Sequence, residues 1–295
     1  MPTPLDTYQS ERPRLFRAAY RMLGSTREAE DVLQEAWLRW QAAPHPEITE
    51  PAGYLRRIVA RLALDQLRSA HARRVEYVGP WLPEPILGDL PGADDPAARD
   101  EDLSTAFLLL LERLSPVERA VFVLRESLGF DYREIAGIVG KSEANCRQLE
   151  RRARARLAAG KRFTHDPAGH RRLLDGFLRA VREGDVDGLV AILAEDVEAW
   201  GDGGGKVAAA GRVLTGREEV MRLWLGLARK VPPGAEFRPV TANGLPAVLY
   251  LEDGRPRSLL QLATAGGRIL AFHAVLNPDK LATLSRGAPP APSSG

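Results

Sequence analysis

DYREIAGIVGKSEANCRQLERRARARL occupies residues 131–157 and carries the clearest structural signal in the chain. Its first part, up to Val139, has apolar residues at helical spacing, and Gly140 and Ser142 then supply a turn residue and an N-cap. A second, basic helix is predicted after Ser142, because apolar residues recur there at helical spacing. Those inward-facing positions are Cys146, Leu149 and Ala153. Two helices joined by a tight turn predict a helix-turn-helix.

The second helix of such a motif enters the major groove, with its first turns near base edges. Charge supports this role, since residues 141–162 hold eight basic and two acidic residues. The side chains predicted to meet DNA are Ser142, Asn145, Arg147, Gln148, Arg151 and Arg152, with Arg154 and Arg156 as further phosphate contacts. The alternative is a basic, solvated helix on an ordinary helical bundle.

Length and composition limit how many domains the chain can form and which classes of protein it can belong to. Its 295 residues suit two or three domains, and the hydrophobic share of 44% is that of a folded globular protein. The apolar run Ala106 to Leu111 is too short to span a membrane, and the first residues lack a signal-peptide core. The single cysteine, Cys146, excludes an internal disulfide framework and is expected to be a small core residue rather than a redox switch. We expect a cytoplasmic protein with no metal and no cofactor.

Charge alternates along the chain and marks the domains. The net charge is +3 for residues 1–75, −7 for residues 76–102 and +5 for residues 103–162. The acidic segment is also rich in proline, so we predict a linker there between two helical domains. The predicted division is a helical domain over 1–75, the linker over 76–102, a second helical domain over 103–163, an α+β domain over 167–286 and a disordered tail over 287–295.

Local start signals place the helices. Ser25 with Glu28, Ser115 with Glu118 and Asp131 with Glu134 each form the capping-box pattern. On the helix that ends near Gln41, we expect Leu33, Trp37 and Trp40 to pack inward. Another face of that helix is acidic and apolar and carries Asp31, Gln34, Glu35 and Leu38. Such a face either docks on a basic partner surface or is simply solvated.

The C-terminal part mixes two periodicities. Helical patterns are predicted near 168–182, 185–193 and 217–230, and alternating patterns predict strands near 248–252, 258–264 and 268–276. The turns between the strands are Asp253-Gly254 and Gly266-Gly267. The fold class is therefore multidomain, with two all-α domains and an α+β domain.

Three motifs, in this order, resemble the extracytoplasmic function (ECF) sigma factors. Residues 29–39, AEDVLQEAWLR, look like the polymerase-binding helix of sigma region two, and residues 53–68, GYLRRIVARLALDQLR, look like the helix that faces the −10 element. Residues 114–119, LSPVER, together with the helix-turn-helix, match sigma region four, which reads the −35 element. The resemblance implies that core RNA polymerase, through its clamp and flap, and promoter DNA are the partners, and that the protein is not an enzyme.

The resemblance also implies residue roles. Asp31, Gln34, Glu35 and Leu38 would bind the polymerase, and Tyr54, Arg56, Arg57, Arg61 and Arg68 would contact promoter DNA. Tyr54 is alternatively a plain core residue. The acidic linker would thread through the polymerase cleft, or it is only a solubilising tether.

Residues 168–281 resemble the SnoaL-like members of the nuclear transport factor two superfamily, cone-shaped α+β folds whose curved sheet encloses a pocket. Three short segments resemble the signatures of a sigma subgroup with a fused SnoaL-like extension, which is implied to regulate the factor in cis. They are Trp81, Leu82, Pro83, Glu84 and Pro85; Asp202, Gly203, Gly204, Gly205 and Lys206; and Asn277, Pro278, Asp279, Lys280 and Leu281.

We hypothesise that the Trp81 segment docks on the other two. The glycines would allow close backbone approach, Trp81 would be the anchor, and Lys206 would pair with Glu84. The alternative is an ordinary hairpin turn with a separate, flexible linker.

The role of the C-terminal domain stays open between an interaction module, a sensor of a small ligand and an enzyme. Residues expected to line its cone are Asp196, Trp200, Asp202, Tyr250 and His273. Their spacing singles out no acid–base pair. For the whole chain, a one-component regulator with a ligand-sensing pocket, or an enzyme with a DNA-binding appendage, competes with the sigma factor. The polymerase-docking helix and the acidic linker favour the sigma factor.

Overall fold

The computed structural model describes residues 3–88, 103–160, 163–164, 166–282 and 284. They form two compact units. The first unit holds residues 3–76, 103 and 107–160, and the second holds residues 77–88, 104–106 and the described residues from 163 onward. In these ranges no helix has both the length and the apolarity that a membrane crossing requires. The predicted tail over 287–295 and most of the acidic segment lie outside the described residues.

The first unit begins with helices α1 (Pro4–Leu23), α2 (Thr26–Gln41) and α3 (Pro51–Val75), with a short 3-10 turn at His45–Glu47. Gly24, in the left-handed conformation, ends α1, and the Ser25 hydroxyl accepts from the Glu28 amide to start α2. The start predicted at Ser25 is therefore confirmed. Helix α3 extends beyond the resembling residues 53–68 at both ends, and Pro51 is accepted at its first position.

The same unit continues with helices that follow residue 103. They are α4 (Thr105–Glu112), whose first two residues belong to the second unit, α5 (Pro116–Glu126), α6 (Tyr132–Val139) and α7 (Glu143–Gly160). Of the three predicted capping boxes, those at Ser115 and at Asp131 are present with reciprocal hydrogen bonds. Gly140 has φ 69° and closes α6, so the α6–α7 pair is the predicted helix-turn-helix.

The second unit combines helices with a sheet. Its elements are α8 (Pro167–Glu183), α9 (Val186–Ile192), β1 (Leu193–Asp202), β2 (Leu214–Thr215), α10 (Arg217–Ala228), β3 (Glu236–Ala242), β4 (Leu245–Glu252), β5 (Arg255–Ala265), β6 (Arg268–Val275) and α11 (Pro278–Ala282). The described strands lie in the order β2-β1-β6-β5-β4-β3, with β1 and β6 parallel and the other pairs antiparallel. This is the predicted α+β class. The sequence patterns did not predict β1, β2 or β3. Strand β1 could not be recognised because Glu195, Asp196 and Glu198 interrupt its apolar alternation.

The helices cover one face of the sheet. Phe272 packs with Phe177 of α8 and Trp224 of α10, with ring centroids 4.6 and 5.1 Å away. These rings fill space between the helices and the sheet. Because neighbouring strand residues point to opposite faces, Trp200, Asp202 and His273 lie on the other face. These three side chains are therefore not on the sheet face that α8 and α10 cover.

Candidate functional site

Helix α7 presents the polar face that the sequence predicts. Its start is fixed by the Ser142 hydroxyl, which accepts from the Asn145 amide at 3.2 Å. The side chains on its buried side include Cys146, Leu149 and Ala153. The exposed positions include Ser142, Asn145, Arg147, Gln148, Arg151 and Arg152. All predicted DNA contacts on this helix therefore lie on the accessible surface of the described unit.

Ion pairs with acidic residues of α5 hold α7 in place. The Glu118 carboxylate of α5 is buried and lies 3.6 Å from Arg152 and 2.6 Å from Arg156. Burial raises the pKa of Glu118, but hydrogen bonds from Ser115 and the two arginine charges outweigh it, and the pKa lies below its ordinary value. Arg154 pairs in the same way with Glu126 and Glu150. Arg154 and Arg156, predicted as phosphate contacts, thus also hold α7 in place.

The predicted polymerase-binding face lies on α2. Asp31, Gln34 and Leu38 are exposed, and Glu35 is half-buried and pairs with Arg39 at 2.8 Å. Leu33 and Trp40 are buried on the opposite side as predicted, and Trp37 is half-buried against the Tyr8 ring. Leu38 is thus an exposed apolar side chain flanked by acidic and amide groups.

The predicted promoter contacts on α3 differ in whether they are exposed or already paired within the protein. Arg61 and Arg68 are exposed. Arg56 instead bonds Glu11 through two contacts of 2.7 and 2.8 Å, which raise the pKa of Arg56, and Arg57 pairs with Glu134 of α6 at 3.3 Å. Tyr54 is half-buried with its ring 6.0 Å from that of Trp40. In this structure the predicted contacts do not form one continuous basic track.

A partly buried charge cluster joins the end of α3 to α4 and α5 within the first unit. Arg74 pairs with Glu112 at 2.5 Å, and the same carboxylate binds Arg119. Arg119 donates from Nε to the Arg21 carbonyl at 2.8 Å, and Arg21 donates to the Ser127 hydroxyl at 2.7 Å. Burial lowers the pKa of Arg74 despite the nearby Glu112 charge. The cluster ties α1 and α3 to the helices that follow residue 103.

In the second unit, the segment Tyr77–Gly88, which we call the linker segment, docks around Asp202. The Asp202 carboxylate is fully buried. It accepts from the Tyr77 hydroxyl at 2.6 Å, from the Leu82 amide at 2.9 Å and from the Gly204 amide at 3.1 Å. Burial, and then the bond to Asp202, raises the pKa of Tyr77. Asp202 therefore fixes both a side chain and the backbone of the linker segment.

Lys280 supplies the opposite charge. Its ammonium lies 2.7 Å from Asp202, is buried, and donates to the Leu82 carbonyl. It also lies 4.5 Å from the ring centroid of Trp81 and 5.2 Å from that of Tyr77. One cation thus binds the aromatic and the backbone groups of the linker segment.

The linker segment also extends the sheet. Ile86 and Asn243 bond each other, with the Asn243 amide donating to the Ile86 carbonyl at 2.8 Å. Leu87 forms a bridge with Ala242, and the Gly88 amide donates to Thr241 at 3.0 Å. These bonds cover the end of edge strand β3.

Comparison with known proteins assigns both helical segments. Residues 7–73 match the family model for Sigma-70 region 2, and residues 104–157 match the model for Sigma-70, region 4. The chain is 37% identical to the ECF RNA polymerase sigma factor SigJ of Mycobacterium tuberculosis over 289 residues, which cover 92% of this chain and 91% of the relative. It belongs to the ECF sigma factor family. The alternative of a one-component regulator is not favoured.

The solved structures extend the likeness beyond the helical regions. The crystal structure of SigJ from Mycobacterium tuberculosis covers 93% of this chain and 97% of that chain, with a TM-score of 0.75 and 34% identity. This ECF sigma factor therefore shares the fold of SigJ over nearly its whole length. Its second unit has the helix-and-sheet architecture that the resemblance to SnoaL-like domains implies.

The predicted contact between the three signature segments is present, but its partners differ in part. Lys206 pairs with Asp279 at 2.5 Å, so the predicted pair with Glu84 is wrong, and Lys280 binds the linker segment instead. Gly204 and Gly205 have φ 60° and 69°, and a Cβ on Gly204 would overlap the Asn277 amide. The glycines do permit a close backbone approach, as the sequence predicts.

Sequence reasoning missed a further contact of this sigma factor's second unit. The Thr105 hydroxyl donates to the Gln261 side chain at 2.7 Å, and the Gln261 amide donates to the Ala242 carbonyl at 3.0 Å. Ala106 packs with Ala263 and Ala271 next to it. The only available signal was Gln261 itself, a polar residue at the centre of an apolar strand pattern.

Proposed function

We propose that this ECF sigma factor binds core RNA polymerase in the cytoplasm, directs promoter-specific initiation, and is modulated in cis by its C-terminal domain. The exposed face of α7 carries the proposal, because its polar and basic side chains have the arrangement that a recognition helix needs. On this proposal, α7 reads the −35 element through Asn145, Arg147 and Gln148. Arg151 and Arg152 would contact phosphates.

On the same proposal, α3 contacts the −10 element. Arg61 can meet the DNA backbone as it stands, and Arg68, which pairs with the exposed Asp65 on its own helix at 3.5 Å, lies on the same accessible surface. Arg57 must leave Glu134 of α6 before it can meet the DNA backbone. The ion pair between α3 and α6 therefore competes with promoter binding. Tyr54, half-buried beside Trp40, would stack on an unpaired base only after its ring moves outward.

Modulation in cis would act through the linker segment. The buried Asp202–Lys280 pair supports this, since it holds Tyr77, Trp81 and Leu82 in one conformation. A linker held in this way cannot follow the polymerase cleft until those contacts open. Docking and polymerase engagement thus compete for the same residues.

Run-off transcription with purified core polymerase tests the proposal. The full chain and core polymerase are incubated with a template library randomised over both promoter elements, and the enriched templates are sequenced. We expect core-dependent transcripts that share −10 and −35 sequences. If the chain enriches no promoter sequence in the presence of core polymerase, the sigma function is rejected.

The polymerase-binding face gives a sharper prediction. Leu38→Lys is expected to weaken binding to core polymerase by roughly tenfold or more, because a leucine at the centre of a docking face is desolvated there. The matched control is Leu5→Lys, since Leu5 is 47% exposed and Leu38 is 54% exposed, and both lie on helices of the same unit. Fluorescence anisotropy of the labelled protein with core polymerase measures both. Equal losses for the two variants would contradict the assignment of the α2 face.

A further inference from the structure

Tyr132 occupies an unusual position between the helices of the helix-turn-helix. It is the first residue of α6, and its hydroxyl donates to the buried carboxylate of Glu150 on α7. The guanidinium of Arg125, from α5, lies 5.1 Å from its ring centroid, and that of Arg147, from α7, lies 5.0 Å away. The Tyr132 ring therefore contacts groups from both neighbouring helices.

The ring itself is held firmly. The Glu150 carboxylate that accepts from Tyr132 also accepts from Arg154 at 2.8 Å, so its orientation is fixed from two sides. Arg125 is anchored separately, because it donates to the Phe130 carbonyl at 2.8 Å. A ring fixed in this way offers a static negative face to a cation.

Arg147 is exposed and can reach DNA. Its side chain is 56% exposed, and its terminal nitrogen donates to Glu143 at 3.0 Å. Arg152, Arg154 and Arg156 pair with acids on the inner side of the helix. An exposed arginine ordinarily samples many rotamers, and ordering it on DNA costs conformational entropy. The ring and the Glu143 carboxylate together restrict that freedom before DNA binds.

We infer that Tyr132 is a positioning residue for promoter recognition, which holds the Arg147 guanidinium in the conformation that meets a base edge in the −35 major groove. This inference rests on the proposed function of α7. The ligand chemistry follows from the planar guanidinium, which pairs through two hydrogen bonds with O6 and N7 of guanine. Tyr132 acts on the base only through Arg147.

The test compares base preferences of holoenzymes. Full-length wild type, Arg147→Ala, Tyr132→Leu and Tyr132→Phe are each combined with core polymerase and a template library randomised over both promoter elements. The position at which Arg147→Ala loses about tenfold or more of its guanine preference identifies the base that Arg147 reads. At that position, Tyr132→Leu is expected to lose about two- to fivefold, the range of an exposed cation–π contact. Tyr132→Phe keeps the ring but loses the bond to Glu150, and it is expected to lose less of the preference than Tyr132→Leu does.

A purely structural role of Tyr132 has a different signature. It would weaken all promoter positions together and would persist in the absence of Arg147. The double variant Tyr132→Leu with Arg147→Ala is therefore included, and it is expected to match Arg147→Ala at every position. Tyr132→Met, whose flexible side chain fills similar space without a ring, repeats the test if the leucine variant does not fold.

The outcomes separate the two proposals. If the wild-type holoenzyme enriches no −35 sequence, the function proposed for α7 fails. If the wild type shows a guanine preference that Arg147→Ala removes, while Tyr132→Leu and Tyr132→Met keep it, the positioning role of Tyr132 is overturned. An equal loss in Tyr132→Phe and Tyr132→Leu also overturns it, because the ring would then be irrelevant.

Discussion

Replacing Lys280 with methionine is expected to release the linker segment and to lower the free energy of unfolding of the second unit by about 3–5 kcal/mol. The methionine keeps the length of the side chain but leaves the Asp202 charge buried without its cation. The Leu82 amide, which donates to Asp202, is the local reporter. Its hydrogen exchange should accelerate in the variant, and urea denaturation of the full chain gives the change in free energy.

A neighbouring lysine provides the matched control. Lys206 pairs with Asp279 on the surface, where both side chains are more than half exposed. Lys206→Met is therefore expected to cost no more than about 1 kcal/mol and to leave exchange at Leu82 unchanged. Equal losses in the two variants would mean that the buried pair does not hold the linker segment.

A variant that lacks both charges tests whether the unpaired Asp202 charge causes the loss of stability. In the double variant Asp202→Asn with Lys280→Met, no unpaired charge remains, and most of the lost stability should return. Docking of the linker segment should still be weaker than in the wild type, since the cation no longer contacts Trp81 and Tyr77. The transcription of the single and double variants then reports how docking affects activity. If docking modulates the factor, both variants change run-off yield in the same direction.

The helix-turn-helix could be predicted because its signals are local. The Asp131 carboxylate and the Glu134 amide are three residues apart, so a capping box forms or fails within one helical turn. The same holds for Gly140 and Ser142, whose roles depend on the backbone next to them. Interactions of this range are visible in the sequence before any tertiary contact is known.

The sequence predicted which three segments meet around the linker segment, but not which side chains pair there. The sequence offers two lysines near it, Lys206 and Lys280, and nothing local decides which of them is buried. In the structure α11 carries Lys280 against Asp202, while Lys206 follows the glycine turn to the surface. Likewise, strand alternation places Trp200 and His273 on one face, but the face that the helices cover is set by the whole unit.

The ion pairs around Glu112 could not be predicted from the sequence for another reason. Arg74 and Glu112 are separated by 38 residues, and charged side chains are more often solvated than paired. Their pairing depends on how the end of α3 packs near α4. No periodicity or motif in either segment carries that information.

Glu112→Gln is expected to destabilise the first unit by about 3 kcal/mol, near the lower end of the range for a broken buried ion pair, because Arg119 is buried while Arg74 and Glu112 are partly buried. The glutamine can still accept one hydrogen bond, but Arg74 and Arg119 lose the negative charge that pairs with both of them. Since burial already lowers the pKa of Arg74 and the Glu112 charge opposes that shift, the variant should lower it further. Urea denaturation followed by circular dichroism at the helical signal measures the loss.

Glu30→Gln is the matched control, because the Arg12–Glu30 pair has a comparable distance of 2.7 Å but lies on the exposed surface of the same unit. It is expected to change the free energy of unfolding by less than about 1 kcal/mol. The contrast isolates burial, since both variants remove one carboxylate from an arginine. If Glu112→Gln and Glu30→Gln unfold at the same urea concentration with the same slope, the cluster does not stabilise the packing of α3 with the helices that follow residue 103.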